Sequence, residues 1–384
     1  MPLINREYYF DLSIDDYPTD TWNYDLLKNF NVINFINPES YWDELMDIID
    51  ATDADSIQLQ KVEQRTMIND TNISSNNRKI SVLQELNDNL VKTVLNASFR
   101  VFPPPSLLFT MLNLIHPMDI KVIILGQDPY PQTFRASNGR ICPFSMGVAT
   151  SIPKDAAYIP GALANIFDNM IKFGHLSGKP NHGNISRWAE QGVFMINTAF
   201  TVEENKSGSH DIIWKKFSYL LLKYVLDLHK KDLIILAWGA AANAMCKDIN
   251  VNMSDHHIIT SSHPSRRSAA NPMLGYKYNT NETETMEKTS YPAFNSIDHF
   301  GLVNIQLEVK GKGKIEWGKP WIPGVGVIND TVQPIQTTKT IVDPSNYQTK
   351  PRTPKITQKK VTVTAVKSNV FVDPLNSNFN TNQL

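Results

Sequence analysis

"VIILGQDPYP" (Val122–Pro131) sets four apolar β-formers directly against a glycine, an amide, a carboxylic acid and a proline turn. A run of Val, Ile and Leu with no polar alternation reads as a strand buried on both faces, the pattern of parallel sheets. Three further short runs match it: "VFMINTA" (Val193–Ala199), "LIILAWG" (Leu233–Gly239) and "HIITSSH" (His257–His263). Between the second and third lies "WKKFSYLLLKYVLDLHKK" (Trp214–Lys231), whose apolar period and basic C-terminal end predict a helix. That unit is βαβ, so its strands run parallel, and the expected fold is a three-layer α/β/α arrangement around a central four-stranded parallel sheet. Ligands of such sheets bind in the crevice beyond the carboxyl ends of the strands. Asp128, Asn197, Trp238, Gly239 and His263 stand at those ends.

The 384 residues are 41% hydrophobic with a formal net charge of −1, enough chain for one enzyme-sized domain and extras. The near-neutral balance means that any polyanion surface must be local, made of clustered basic residues. Only Cys142 and Cys246 are present, so neither a disulfide framework nor a cysteine zinc site is implied, and a reducing compartment fits. No basic leader followed by an apolar run opens the chain, and no stretch of about 18 apolar residues occurs, so neither secretion nor a membrane span is expected. Upstream of the first strand, "NPESYWDELMDIID" (Asn37–Asp50) predicts a helix with Ser40 as its N-cap and Trp42, Leu45, Met46 and Ile49 on one face. A second helix carries Leu83, Leu86, Leu90 and Val94 on one side. Between them, 51–79 is polar and reads as an insertion.

An Asp-Pro after a strand is a common turn, and a lone His or Asn at a strand end is more often a hydrogen-bonded structural group than a catalyst. A carboxylate, an amide, an imidazole and aromatics on successive strand ends are a different matter, because together they can read and attack a polar planar ligand. "GQDPYP", "PFSMG", "PNHGNISRWAEQGVFMINTAFTV", "GSHDIIW", "LIILAWG" and "SSHPSRRS" together resemble, in order and spacing, the motifs of family 1 uracil-DNA glycosylases, over about Ser81 to Trp317. The resemblance implies hydrolysis of the bond joining uracil to deoxyribose in DNA, single- or double-stranded, leaving an abasic site for base excision repair, with no cofactor and no metal. It assigns Asp128 to the sugar side and the attacking water, and His263 to the uracil oxygen that gathers negative charge, as a neutral imidazole. Asn197 pairs with the uracil edge, Phe144 stacks on the base, Tyr130 walls off the carbon that bears thymine's methyl group, and Gln127 lines the pocket. Ser265, Arg266, Arg267, Ser268 and Gly239 fall on the DNA-binding loops.

Several positions depart from the family pattern. Pro131 replaces the histidine after the motif tyrosine, and the connection from Tyr130 to Phe144 is about three residues longer than in cellular members. Ala162 and Ala240 replace two serines. Arg267 stands where a leucine normally wedges into the minor groove, with Arg266 in place of a proline. A guanidinium can still fill a vacated stack while pairing with phosphate. These changes and the short spacing from His210 to Trp214 resemble glycosylases of large DNA viruses. The expected organisation is an N-terminal extension (1–36), a glycosylase domain (37–320) with insertions near 51–79 and 270–291, and a tail (321–384). The second insertion reads as a solvated surface loop. The tail, with six prolines and seven basic against three acidic residues, reads as disordered and mildly basic. The competing hypothesis is a non-catalytic DNA-binding or polymerase processivity subunit on the same fold; loss of Asp128 or His263 would favour it, and neither is lost. Either reading puts the protein inside the cell at the site of DNA replication, with a replication or repair protein as a candidate partner.

Overall fold

The four apolar runs form strands β1 (Val122–Gly126), β2 (Val193–Asn197), β3 (Ile234–Trp238) and β4 (His257–Ser261). All pairings are parallel, in the order β2-β1-β3-β4. Every residue of β1 and β3 is buried, which is why these runs carry no polar alternation. The computed structural model describes residues 6–37, 41–57, 59, 79–251, 255–278 and 288–321. Residues 322–384 of the expected tail, and most of the insertion expected near 51–79, therefore lie outside the described residues, while Trp321, where the tail is expected to begin, packs against Phe167 and donates to the His182 carbonyl.

Six helices of nine residues or more accompany the sheet among the described residues: α1 (Asp43–Ala51), α2 (Val82–Leu95), α3 (Gly161–Lys172), α4 (Asp211–His229), α5 (Ala240–Asp248) and α6 (His299–Val309). Helix α4 is the crossover between β2 and β3. It packs with α1 and α2, while α5 and α6 pack against β3. In α2, Ser81 Oγ accepts from the Gln84 N–H, and Leu83, Leu86, Leu90 and Val94 are buried as their spacing requires. The first helix begins later than its sequence implies. Trp42 holds the cap position, with no side-chain cap, and Ser40, the expected cap, lies outside the described residues. Burial decides this: the Trp42 ring stacks on Phe194 of β2 at 5.5 Å and its indole N–H donates to the Leu112 carbonyl.

Residues before position 37 contribute to the same core: Tyr9, Phe10, Leu12, Ile14 and Tyr17 are buried, and the Tyr17 hydroxyl donates to the Ser145 carbonyl. Near the second insertion, the described residues form an antiparallel pair, β5 (Met273–Tyr276) with β6 (Lys288–Tyr291). The buried Asn243 of α5 ties this pair down, donating to the Tyr276 carbonyl and the Tyr278 hydroxyl and accepting from the Tyr276 N–H. The described flanks of the insertion are thus tied to α5 through an amide that no apolar periodicity announces, and the rest of the expected loop, 279–287, lies outside the described residues.

Candidate active site

The carboxyl ends of β1 and β2 meet where Gly126 pairs with Asn197. A methyl group on Gly126 would stand 2.3 Å from Asn197 Oδ1, so the glycine is what lets the amide cross the end of β1. Past that crossing the chain turns through Gln127 and Asp128. The Gln127 carbonyl accepts from the Ala199 N–H and the Thr198 hydroxyl, stitching the turn to the segment after β2. Gln127 Nε2 donates to Asp211 Oδ2, in the first turn of α4, at 2.9 Å.

Asp128 accepts the Gly208 N–H on Oδ2 at 2.7 Å, and the Ser207 side chain also favours its anion. Burial outweighs these donors and, with the negative charge of Asp211 nearby, pushes the carboxyl up to about 6. At neutral pH the group is ionised yet basic enough to take a proton. His263 shifts the opposite way: enclosure disfavours its cation and pushes it down to about 4. Its Nδ1 accepts the Ser265 N–H at 3.0 Å. A backbone N–H can only donate, so the neutral ring carries its proton on Nε2, free to donate to a ligand. Gly239, at φ 95°, lies so close that a Cβ there would be 2.9 Å from His263 Cβ.

A narrow cavity behind the Asp-Pro turn is lined by Pro129, Tyr130, Ser145, Gly147, Thr150 and Asn197. The Tyr130 ring forms one wall. Its hydroxyl approaches the Leu163 backbone without meeting hydrogen-bond geometry, and burial holds the phenol protonated. Phe144 is edge-on to Tyr130 at 6.2 Å but only 1% exposed, with Phe134 tilted against it at 4.6 Å and the half-exposed Tyr158 edge-on at 4.8 Å. A base stacking on Phe144 must displace Tyr158 or slide beside it, a crowding that the spacing of the motifs does not reveal.

The loop after β4 is built differently. Ser265 Oγ reaches Ser268 Oγ at 3.3 Å, and Ser262 Oγ donates to the Ser268 carbonyl, closing a tight turn. Asn165 of α3 donates to the Pro264 carbonyl and pins the loop to that helix. Arg266 and Arg267 are exposed, and the stem of Arg266 lies over Gly161. The structure thus places Tyr130 and Asn197 on one cavity with Phe144 against Tyr130, Gln127 and Asp128 on the turn that leaves β1, and His263 against Gly239 beyond the ends of β3 and β4, followed by the Ser265–Ser268 turn. Sequence reasoning gave no role to Ser207, Gly208 and Asp211, although "GSHDIIW" lay among the quoted motifs; nothing in its spacing says that it folds onto Asp128.

Among the described residues no group of three His, Cys, Asp or Glu side chains forms a cation site, and no helix is long and apolar enough to cross a membrane. The uracil DNA glycosylase superfamily model matches residues 113–287. A probable uracil-DNA glycosylase of Acanthamoeba polyphaga mimivirus is 44% identical over 218 residues, covering 57% of this chain and 56% of that protein. The uracil-DNA glycosylase of Borreliella burgdorferi is 36% identical over 190 residues, covering 49% of this chain and 79% of that one. That of Saimiriine herpesvirus 2 is 32% identical over 218 residues, covering 56% and 75%. The crystal structure of the mimivirus uracil-DNA glycosylase superposes with a TM-score of 0.67 at 32% identity, covering 82% of this chain and 99% of that one. With a sheet of this order, an acid, an amide and an imidazole at its carboxyl ends, and relatives that align along most of their own length, the chain belongs to the uracil-DNA glycosylase superfamily.

Proposed function

We propose that Asp128 and His263 carry out uracil excision from DNA in this chain, by hydrolysis of the bond between uracil N1 and deoxyribose C1′. The observation that carries this reading is the placement of the two groups at the strand ends, Asp128 held by the Gly208 N–H and His263 held by the Ser265 N–H with its proton on Nε2, with burial raising the first to about 6 and lowering the second to about 4. Around pH 7 the first is an anion and the second a neutral donor, the pairing that this bond cleavage requires.

To expose the bond, the nucleotide must leave the base stack, at a cost of a few kcal/mol offset by contacts to phosphate and pocket. Ser265, Ser268 and the N–H groups near Gly239 meet phosphates, and Arg266 and Arg267 add charge at the rim. Asn197 accepts from one uracil ring N–H and donates to a ring oxygen, a pattern that cytosine does not offer. Tyr130 excludes thymine by bulk, and Phe144 supports the base face. As the C1′–N1 bond breaks, its electron pair leaves with uracil and positive charge grows on the sugar. The Asp128 anion stabilises that charge, orients water toward C1′ and receives the water's proton. The His263 Nε2–H donates to the uracil oxygen that gains negative charge, a contribution of about 3 kcal/mol for one well-placed donor.

The test is release of free uracil from single-stranded and duplex uracil-containing DNA, with Asp128→Asn and His263→Leu alongside. Robust release that collapses in both variants supports the reading. A folded, DNA-binding wild type that releases none overturns it and leaves the fold as a binding module. A mimivirus glycosylase variant has been solved in complex with UGI; inhibition of this chain by UGI would support a shared recognition surface. Action at the site of DNA replication, with a replication or repair protein as partner, belongs to the same proposal and rests on the DNA substrate in the relatives' names. Recovery of a replication protein with the tagged full-length chain from infected or dividing cells tests it.

A further inference from the structure

Behind Asp128 lies a polar cluster to which the mechanism above gives no work. Asp211 Oδ2 accepts the Gln127 side-chain amide at 2.9 Å, and Gln127 is the residue immediately before Asp128. The Asp211 N–H donates to the Gly208 carbonyl at 3.3 Å, and the Gly208 N–H donates to Asp128 Oδ2 at 2.7 Å. The Asp211 side chain thus reaches Asp128 through Gln127, while the Gly208 turn is held by a backbone N–H that any residue at position 211 other than proline would supply. Asp211 Oδ1 is buried and finds no protein donor. A carboxylate half-satisfied in a buried place is destabilising unless the geometry it maintains is useful. The N-terminus of the 19-residue α4 helps keep it there, because free N–H groups at a helix start favour an acidic side chain. Pro131, at the position where the resemblance leads one to expect a histidine, has no side-chain donor or acceptor to help aim the acid or its water.

We propose that Asp211 is a positioning residue for the water-activating carboxylate: by anchoring the Gln127 side-chain amide it sets the orientation of the neighbouring Asp128. The inference rests on the assignment of Asp128 to the attacking water. The other ionisable groups facing this cluster are His210, adjacent in sequence, whose Nδ1 is engaged by the Thr201 hydroxyl and which burial pushes down to about 4, and Glu203, engaged by Lys206. Neither supplies the acceptor that Gln127 needs.

The experiment is single-turnover uracil excision by the full-length chain, resolved into a rate at saturating DNA and an apparent KM. Asp211→Ala releases Gln127; the saturating rate falls about 10- to 100-fold, as for a reacting group displaced by about an ångström, with KM within about threefold. Asp211→Asn retains an acceptor for Gln127 and recovers most of the rate. Gln127→Leu, which leaves α4 intact and keeps the side chain's bulk, reproduces the defect should the alanine variant unfold. The double variant Asp211→Ala/Gln127→Leu is no slower than the worse single one, because both remove one link. Wild-type rates in either single variant, defects that multiply in the double one, or no recovery in Asp211→Asn would overturn the proposal. Failure of the underlying reading looks different: the wild type itself releases no uracil, or Asp128→Asn is as fast as wild type.

Discussion

At the ends of β1 and β2 each candidate group is held by its neighbours: Asn197 by the space at Gly126, Asp128 by Gly208, Gln127 by Asp211. In the loop after β4, by contrast, the turn is pinned by Ser262 and Asn165 while Arg266, its stem over Gly161, and Arg267 are exposed to solvent. The contrast follows what each region must do. Stabilising charge that develops at one atom demands fixed donors and acceptors in a site closed to water, whereas attracting a polyanion needs only charge of the right sign at roughly the right distance. His263 joins the two regions, because the Ser265 N–H that begins the rim also sets the tautomer of the imidazole.

If the floor is the chemical half, its substitutions should change rate far more than affinity. Asp128→Asn is expected to slow single-turnover release by about 10³-fold, within the range for loss of a positioned acid or base, with DNA affinity nearly unchanged. His263→Leu should slow it by about 10²- to 10³-fold, the effect associated with one preorganised donor. Gly126→Ala forces a methyl group onto Asn197 Oδ1; it should destabilise the protein by about 1–3 kcal/mol in a denaturant titration and weaken discrimination between uracil and cytosine.

The pH dependence separates chemistry from stability. On the proposed mechanism release requires ionised Asp128, so its rate should rise with pH through about 6 and level off near neutrality, while His263, lowered to about 4, is already neutral across that range. Stability runs the other way for the same carboxyl. Its folded pKa lies above the unfolded value of about 3.9, so its contribution is fully present below the unfolded value and is lost as pH rises through about 6. Asp128→Asn should accordingly be more stable than wild type at pH 8, by about 1–3 kcal/mol in chemical denaturation, and lose that advantage near pH 4. A variant both inactive and less stable at pH 8 would contradict this account of the floor.

The smallest effects on rate belong to the rim. Replacing Arg266 and Arg267 by Ala should leave the saturating rate within a few-fold while weakening DNA binding. The log–log salt dependence of affinity should become shallower by about one unit for each phosphate that is no longer neutralised. An equal fall in saturating rate and affinity would mean that the rim takes part in the chemistry and the contrast is too sharp.

The four strands, the crossover helix and the residues at the strand ends were legible because they are local: a strand buried on both faces must be apolar throughout, and the polar residue that follows it must lie in the crevice. The face of α2 was legible for the same reason. The start of α1 was not, since Trp42 is placed by Phe194 and the Leu112 carbonyl, far away in sequence. Nor was the part played by residues before position 37, or the docking of β5 and β6 by Asn243. What the chain determined by itself was which chemistry it carries and on which strand ends. What only the tertiary structure decided was the state of those groups: Gly208 on Asp128, Asp211 on Gln127, Ser265 on His263 and Tyr158 over Phe144. The physical reason is that protonation, tautomer and access depend on burial and on hydrogen-bond partners many residues away, and no local spacing encodes them.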